Sequence, residues 1–202
     1  MKKAFLLVLI LFISVISTAC INNFAVQELN NKAKGYLDKN DYENAISRLK
    51  ASIDLDSTIF ETHYNLGIAY TQAEKYPEAV ETFQNAIKLK PSFADTYYSL
   101  AVAQENYAKG VIDGSVKEKI KDENELNDAE EKSKLEDTDE SPAEKKLTKE
   151  EKAQVEQLLN DSISSYSTYL EKGQDIEDKK EVEDKIEYLK TMALKYTPES
   201  RP

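Results

Sequence analysis

Residues 60–93 read FETHYNLGIAYTQAEKYPEAVETFQNAIKLKPSF, and this stretch decides the architecture. Leu66, Ala69 and Tyr70 stand at i, i+3 and i+4, one stripe of a helix. Ala79, Phe83, Ala86 and Ile87 form a second stripe. Pro77 suits the first turn of that second helix, where a missing N–H costs nothing. Pro91 stands just past its end and prevents continuation. Small residues at Gly67 and Ala79 let the two helices approach closely. The result is a helical hairpin with an apolar side that only a neighbouring hairpin can cover.

The pattern recurs at a spacing of 34 residues, so that 26–59, 60–93 and 94 onward can be laid beneath one another. Leu29, His63 and Tyr97 then align, as do Ala33, Gly67 and Ala101. Tyr36 falls under Tyr70, Tyr42 under Tyr76, Ala45 under Ala79, Leu49 under Phe83 and Ile53 under Ile87. Tyr64 matches Tyr98, Leu66 matches Leu100 and Ala69 matches Ala103. Period and residue types resemble the tetratricopeptide repeat (TPR). The second unit holds nearly the full pattern in Tyr64, Leu66, Gly67, Tyr70, Tyr76, Ala79, Phe83, Ala86 and Pro91. The first departs from it at Lys32, Ser52 and Ser57. The resemblance implies an all-α, right-handed solenoid of helical hairpins, here about three repeats closed by a C-terminal capping helix. Helices are expected at about 25–39, 42–55, 59–73, 77–90 and 93–109, so that 26–109 holds two repeats and the first helix of a third.

The periodicity stops after Gly110. Residues 110–147 contain no aromatic residue, and Asp122–Glu140 carries ten acidic residues against two lysines. Such a segment buries too little apolar area to offset the entropy of ordering and reads as an acidic, disordered insertion. Helical spacing resumes in 148–196. Val155, Leu158, Leu159, Ile163, Tyr166, Tyr169 and Leu170 mark the second helix of the third repeat, with Ser162 near the usual alanine position. Gly173 suits a helix C-cap. Val182, Ile186, Leu189, Met192 and Ala193 mark the capping helix, and 197–202 is a tail ending at Pro202.

At the N-terminus, Lys2-Lys3 precedes an apolar run from Ala4 to Ile16, broken only by Ser14, and then Ser17-Thr18-Ala19. This is the layout of a secretory signal peptide over 1–19. The next residue, Cys20, is the only cysteine in the chain. The arrangement resembles bacterial lipoprotein precursors, in which that thiol receives a diacylglyceryl group and the peptide is cut before it. Ser17 departs from the leucine usual there. An ordinary signal peptidase could cut at the same bond, and Ala4–Ile21 is just long enough to act as an uncleaved anchor. With lipid on Cys20 and a linker over 20–25, the solenoid would stand close to a membrane in an extracytoplasmic, cell-envelope location.

The net charge is −11. Without Lys2 and Lys3 it is −13, and no basic cluster offsets it, which argues against nucleic-acid binding. No cofactor, metal or catalytic residue is expected. His63 is the lone histidine and takes a packing position, and with no second histidine and no further cysteine a zinc site lacks its usual ligands. Asp137, Asp139 and Glu140 lack the glycine-centred loop of a calcium site.

In the resembled family, first helices line a concave groove. The matching positions are Asn30 and Lys34, then Glu61, Tyr64 and Ile68, then Asp95, Tyr98 and Val102. Tyrosines beside aliphatics supply contact area at low entropic cost, although Tyr64 and Tyr98 could equally finish the core. One branch of the family grips a peptide's C-terminal carboxylate with basic residues. Asp95 and Ser99 stand where two of these would be, which argues against that mode. The expectation is a membrane-anchored scaffold, not an enzyme, that binds a protein or peptide in cell-envelope assembly or maintenance. The alternatives are a homo-oligomer joined through the solenoid ends and an accessory carrier with a ligand in the groove.

Overall fold

The computed structural model describes residues 23–116 and 147–197, and among these it contains helices and no strand. Helix α1 covers 23–37. It is followed by α2 (Tyr42–Leu55), α3 (Phe60–Gln72), α4 (Tyr76–Leu89), α5 (Ala94–Asp113), α6 (Lys149–Lys172) and α7 (Lys179–Leu194). Each helix packs on the next from α2 onward, α5 most extensively on α6, and α3 also meets α5 directly. This is the side-by-side stacking of hairpins that the 34-residue period implies.

The repeat is written in the backbone as well as in the side chains. Asn40 and Glu74, 34 positions apart, both adopt positive φ (57° and 58°). In each turn the residue that follows bonds back into the preceding helix, Asp41 N–H to Tyr36 O and Lys75 N–H to Tyr70 O, both at 2.9 Å. The left-handed residue reverses the chain within one turn, so the second helix of each hairpin runs antiparallel to the first. Asp41 also caps α2, its carboxylate accepting from Asn44 N–H at 3.3 Å.

Two cores result. The first joins Ala33, Ala45, Ile46, Leu49, Leu66, Ala69, Ala79, Phe83, Leu100 and Ala103. The second joins Ala101, Ala108, Val111, Val155, Leu158, Leu159, Tyr166, Val182, Ile186, Leu189 and Ala193. Helix α5 contributes to both. Gly67 is required where α3 meets α4, because a Cβ there would stand 2.6–2.8 Å from three atoms of the Phe83 ring.

A polar network crosses the second core. Glu105 is buried, yet its carboxylate meets Lys109 Nζ at 2.6 Å and Lys185 Nζ of α7 at 3.2 Å. Tyr166 Oη of α6 donates to it at 3.3 Å. Burial pushes the Glu105 carboxyl up, but the two ammonium groups outweigh it and hold the group below its usual range. One carboxylate thus ties α5, α6 and α7. Beside it, Ser165 Oγ donates to Gln104 Oε1 (2.8 Å) and Ser162 Oγ to Ala101 O (2.9 Å).

Several boundaries differ from the sequence-based expectation. Residues 23–25, expected as linker, are helical, with the Gln27 amide donating to the Asn23 side chain at 3.2 Å. Helix α5 passes through Gly110 to Asp113, because Val111 is buried and Val116 folds back over Gly110, its N–H reaching Gly110 O at 3.0 Å. The chain turns at Gly114, φ 78°. Gly173 caps α6 as expected, in an extended conformation (φ −70°, ψ 141°) with its N–H on Tyr169 O, and it also leaves room for Ile176. Helix α6 opens with a capping box, Thr148 and Glu151 each bonding the other's backbone N–H. The signal peptide, Cys20, positions 117–146 of the expected insertion and the end of the tail lie outside the described residues.

Two glycines should respond oppositely to alanine. Phe83 is fully buried and has no room to retreat, so Gly67→Ala should cost about 1–3 kcal/mol through overpacking. Gly35 in α1 has nothing near its missing Cβ, so Gly35→Ala should stabilise by about 0.5–1 kcal/mol. Urea denaturation of both variants checks the signs. For Glu105, a lowered native pKa means stability that is complete above the unfolded carboxylate value near pH ~4.3 and lost as pH falls through the native value. Glu105→Gln should therefore cost about 1–3 kcal/mol at pH 7, a deficit that shrinks as pH approaches ~2. Denaturation midpoints of both proteins across that range provide the check.

Candidate interaction groove

The first helices α1, α3 and α5 carry the candidate groove residues, and the structure treats them unequally. Asn30 turns inward. Its amide nitrogen lies 2.8 Å from Ser52 Oγ of α2 and 3.0 Å from Thr62 Oγ1 of α3. Here Asn30 pins the first hairpin against the second, at the position where the next two units have tyrosine. Lys34, four residues on, is exposed.

Tyr64 and Ile68 are half-buried against the first core. The Tyr64 ring lies among Phe60, Phe83 and Phe93, at centroid distances of 5.9, 6.0 and 5.7 Å. Its hydroxyl reaches Ser99 Oγ of α5 at 3.5 Å. Tyr64 thus bridges neighbouring first helices while keeping part of its surface in the groove. Glu61 and Asp95, in the first turns of α3 and α5, are exposed and equivalent in the repeat. Carboxylates there also favour the helix N-termini.

Tyr98 is the most open aromatic of the groove, 36% exposed, and Val102 packs half-buried on the second core. The Tyr98 ring meets Tyr166 and Tyr169 of α6 edge-on at 5.5 and 5.2 Å. Tyr169 Oη donates to Asp178 at 3.2 Å. Burial, and next the Asp178 carboxylate, raises the phenol pKa of both Tyr98 and Tyr169, so each remains a protonated donor at neutral pH.

Where α5 begins and α6 ends, the groove opens into a pocket of about 720 Å³ lined by Asp95, Tyr169, Lys172, Asp175, Glu177 and Asp178 among others. Four carboxylates face this space. Its one cation, Lys172, leans over the Tyr97 ring at 5.6 Å. Sequence reasoning found Asp95 but missed Tyr169 and the 175–178 acids. Their signal was an acidic run directly after Gly173, where the chain leaves α6.

A separate cleft of about 250 Å³ lies over α3 between α2 and α4 and includes Lys50, His63, Tyr70 and Glu81. His63 is nearly buried there and Nε2 bonds Ser57 O at 2.9 Å. A carbonyl only accepts, so Nε2 carries the proton and the ring closes the turn between α2 and α3. Among the described residues no group of three His, Cys, Asp or Glu could hold a metal ion, and no helix is long and apolar enough to cross a membrane.

No curated protein sequence matches the chain. A family model described as TPR repeat matches residues 33–74 and 69–106. The first TPR domain of human RPAP3 superposes with a TM-score of 0.56 at 15% identity, covering 84% of this chain and 95% of that one. The second TPR domain of human RPAP3, solved in complex with the HSP70 peptide SGPTIEEVD, gives 0.55 at 16%, covering 82% and 98%. The Arabidopsis OM64 TPR domain gives 0.55 at 10%, covering 83% and 98%. At these identities the likeness is one of fold. Residues 33–106 match TPR repeats, and the described helices form an all-α solenoid of the TPR fold.

Proposed function

We propose that this protein is a membrane-anchored scaffold that binds an extended polypeptide along the α1–α3–α5 groove. The observation that carries the reading is the groove's composition: Tyr64, Ile68, Tyr98 and Val102 in a row, ending in the carboxylate-lined pocket. Open aromatics beside aliphatics give contact area to an extended chain, and tyrosine loses little entropy on contact. TPR domains of this fold are peptide binders, as the RPAP3 complex with an HSP70 peptide illustrates. That peptide ends in two acidic residues around a valine. Here Asp95, Asp175, Glu177 and Asp178 would repel such a terminus and favour a segment bearing lysine or arginine. The role is binding rather than catalysis: the raised phenols of Tyr98 and Tyr169 stay protonated at neutral pH, and Asp95, Asp175 and Glu177 are open to solvent.

Anchoring rests on the sequence of residues 1–20, with Cys20 as the acylated residue and the cell envelope as the location. Two acyl chains hold a protein on a bilayer where one is marginal. A stack held so close to the lipid suits a partner in or at the membrane.

Photo-crosslinking from position 98 in native membranes, with position 188 on the outer side of α7 as control, should capture a partner from 98 alone. Against the captured segment, Tyr98→Ala should weaken binding about tenfold. Asp95→Lys should weaken it further and add affinity for acidic peptides. Equal capture from both positions, or a preference for acidic peptides in the unmodified protein, would sink the groove assignment. Intact mass of the protein purified from bacterial membranes should show Cys20 as an acylated first residue, and Cys20→Ser should abolish the modification.

A further inference from the structure

We infer that one rim of the solenoid rests on the lipid bilayer, contacting it through Phe24, Leu55 and Leu89; this inference builds on the anchoring reading above. In an alternating stack, first helices begin and second helices end at the same rim. Contacts fix that rim here. Asn30, midway along α1, bonds Ser52 near the end of α2 and Thr62 at the start of α3, so the N-terminal half of α1 with Phe24 lies at or beyond that rim. Lys90, at the end of α4, lies over the rings of Phe60 and Phe93 at 5.0 and 5.1 Å.

Six large apolar side chains are exposed among the described residues, and three of them stand on this rim: Phe24 at 71%, Leu55 at 42% and Leu89 at 39%. Leu194, at 74%, stands at the end of α7 on the opposite rim. One fact favours a bilayer as the occupant. Helix α1 is already formed at Asn23, so Cys20 lies three residues away, within about 11 Å at full extension. An acyl chain on Cys20 therefore brings this rim, and not the other, to the lipid. Charge along the rim is mixed: Lys88 and Lys90 stand with Asp54, Asp56 and Glu61 in its first half, and Lys172, Lys179 and Lys180 stand with the pocket's carboxylates in its far half. The tether and the exposed apolar side chains therefore decide which part of the rim meets the lipid. The stack then leans on its first two repeats, with the acidic pocket raised and open to a partner.

The chain has no tryptophan, so each substitution to tryptophan introduces a single reporter. Phe24→Trp, Leu55→Trp, Leu89→Trp and Leu194→Trp would be prepared in the full chain and reconstituted into phosphatidylcholine vesicles with brominated acyl chains. Circular dichroism confirms helicity for each variant. Quenching of several-fold at 24 and 89, with Leu194→Trp unchanged, is the expected result, and Leu55→Trp substitutes for either variant that misfolds. Equal quenching at all positions, or none in protein that floats with the vesicles, overturns the rim contact. Flotation and intact mass test the anchor separately. If Cys20 carries no lipid, coupling its thiol to a maleimide lipid restores the tether, and the same quenching comparison then decides the rim contact alone.

Discussion

The structure depends on one burial constraint: α5 must be covered on two sides at once. Leu100 and Ala103 face the core shared with α3 and α4, while Ala101, Ala108 and Val111 face the core shared with α6 and α7. A helix apolar on both sides has no stable exposure to water, so the first two repeats cannot end where they do without the third hairpin. The tight approach of Phe83 to Gly67 sets the spacing of the preceding hairpin and hence the surface offered to α5.

Between these cores the groove is a by-product of stacking. The first helices are held side by side by contacts behind them, such as Tyr64 to Phe83, and their remaining faces form a continuous strip. Its chemistry then depends on which residues each unit places at the same structural position. Asn30 spends its amide on internal bonds, Tyr64 divides itself between core and groove, and Tyr98 is most open. Exposed aromatic surface therefore grows toward the third repeat, where the acidic pocket also lies.

Repetition made the fold legible. Ten positions that align at a spacing of 34 leave little freedom for any other architecture, and the side-by-side hairpins follow from them. The groove was legible only as a list of helix positions. Asn30 could not be read as inward-facing, because its partners Ser52 and Thr62 are 22 and 32 residues distant and Ser52 is itself a departure from the repeat pattern. Glu105 was hidden for a related reason. It lies on the buried stripe with Ala101 and Ala108, and its compensating charges come from Lys109 one turn on and Lys185 eighty residues later. Gly173 is the C-cap that its position suggested, its N–H bonding Tyr169 O at 2.8 Å, and it also provides room for Ile176, which no sequence spacing announces.

The split third hairpin has a further consequence. Gln154 near the start of α6 bonds Tyr107 near the end of α5 at 3.0 Å, so the chain departs and returns at neighbouring points on the rim away from Phe24. The cost of joining two such points grows only logarithmically with the number of residues between them, about 0.6 kcal/mol for each doubling. The solenoid therefore contains a natural insertion port, at which whole modules could be grafted during evolution, or by an engineer, with little thermodynamic penalty to the helices on either side.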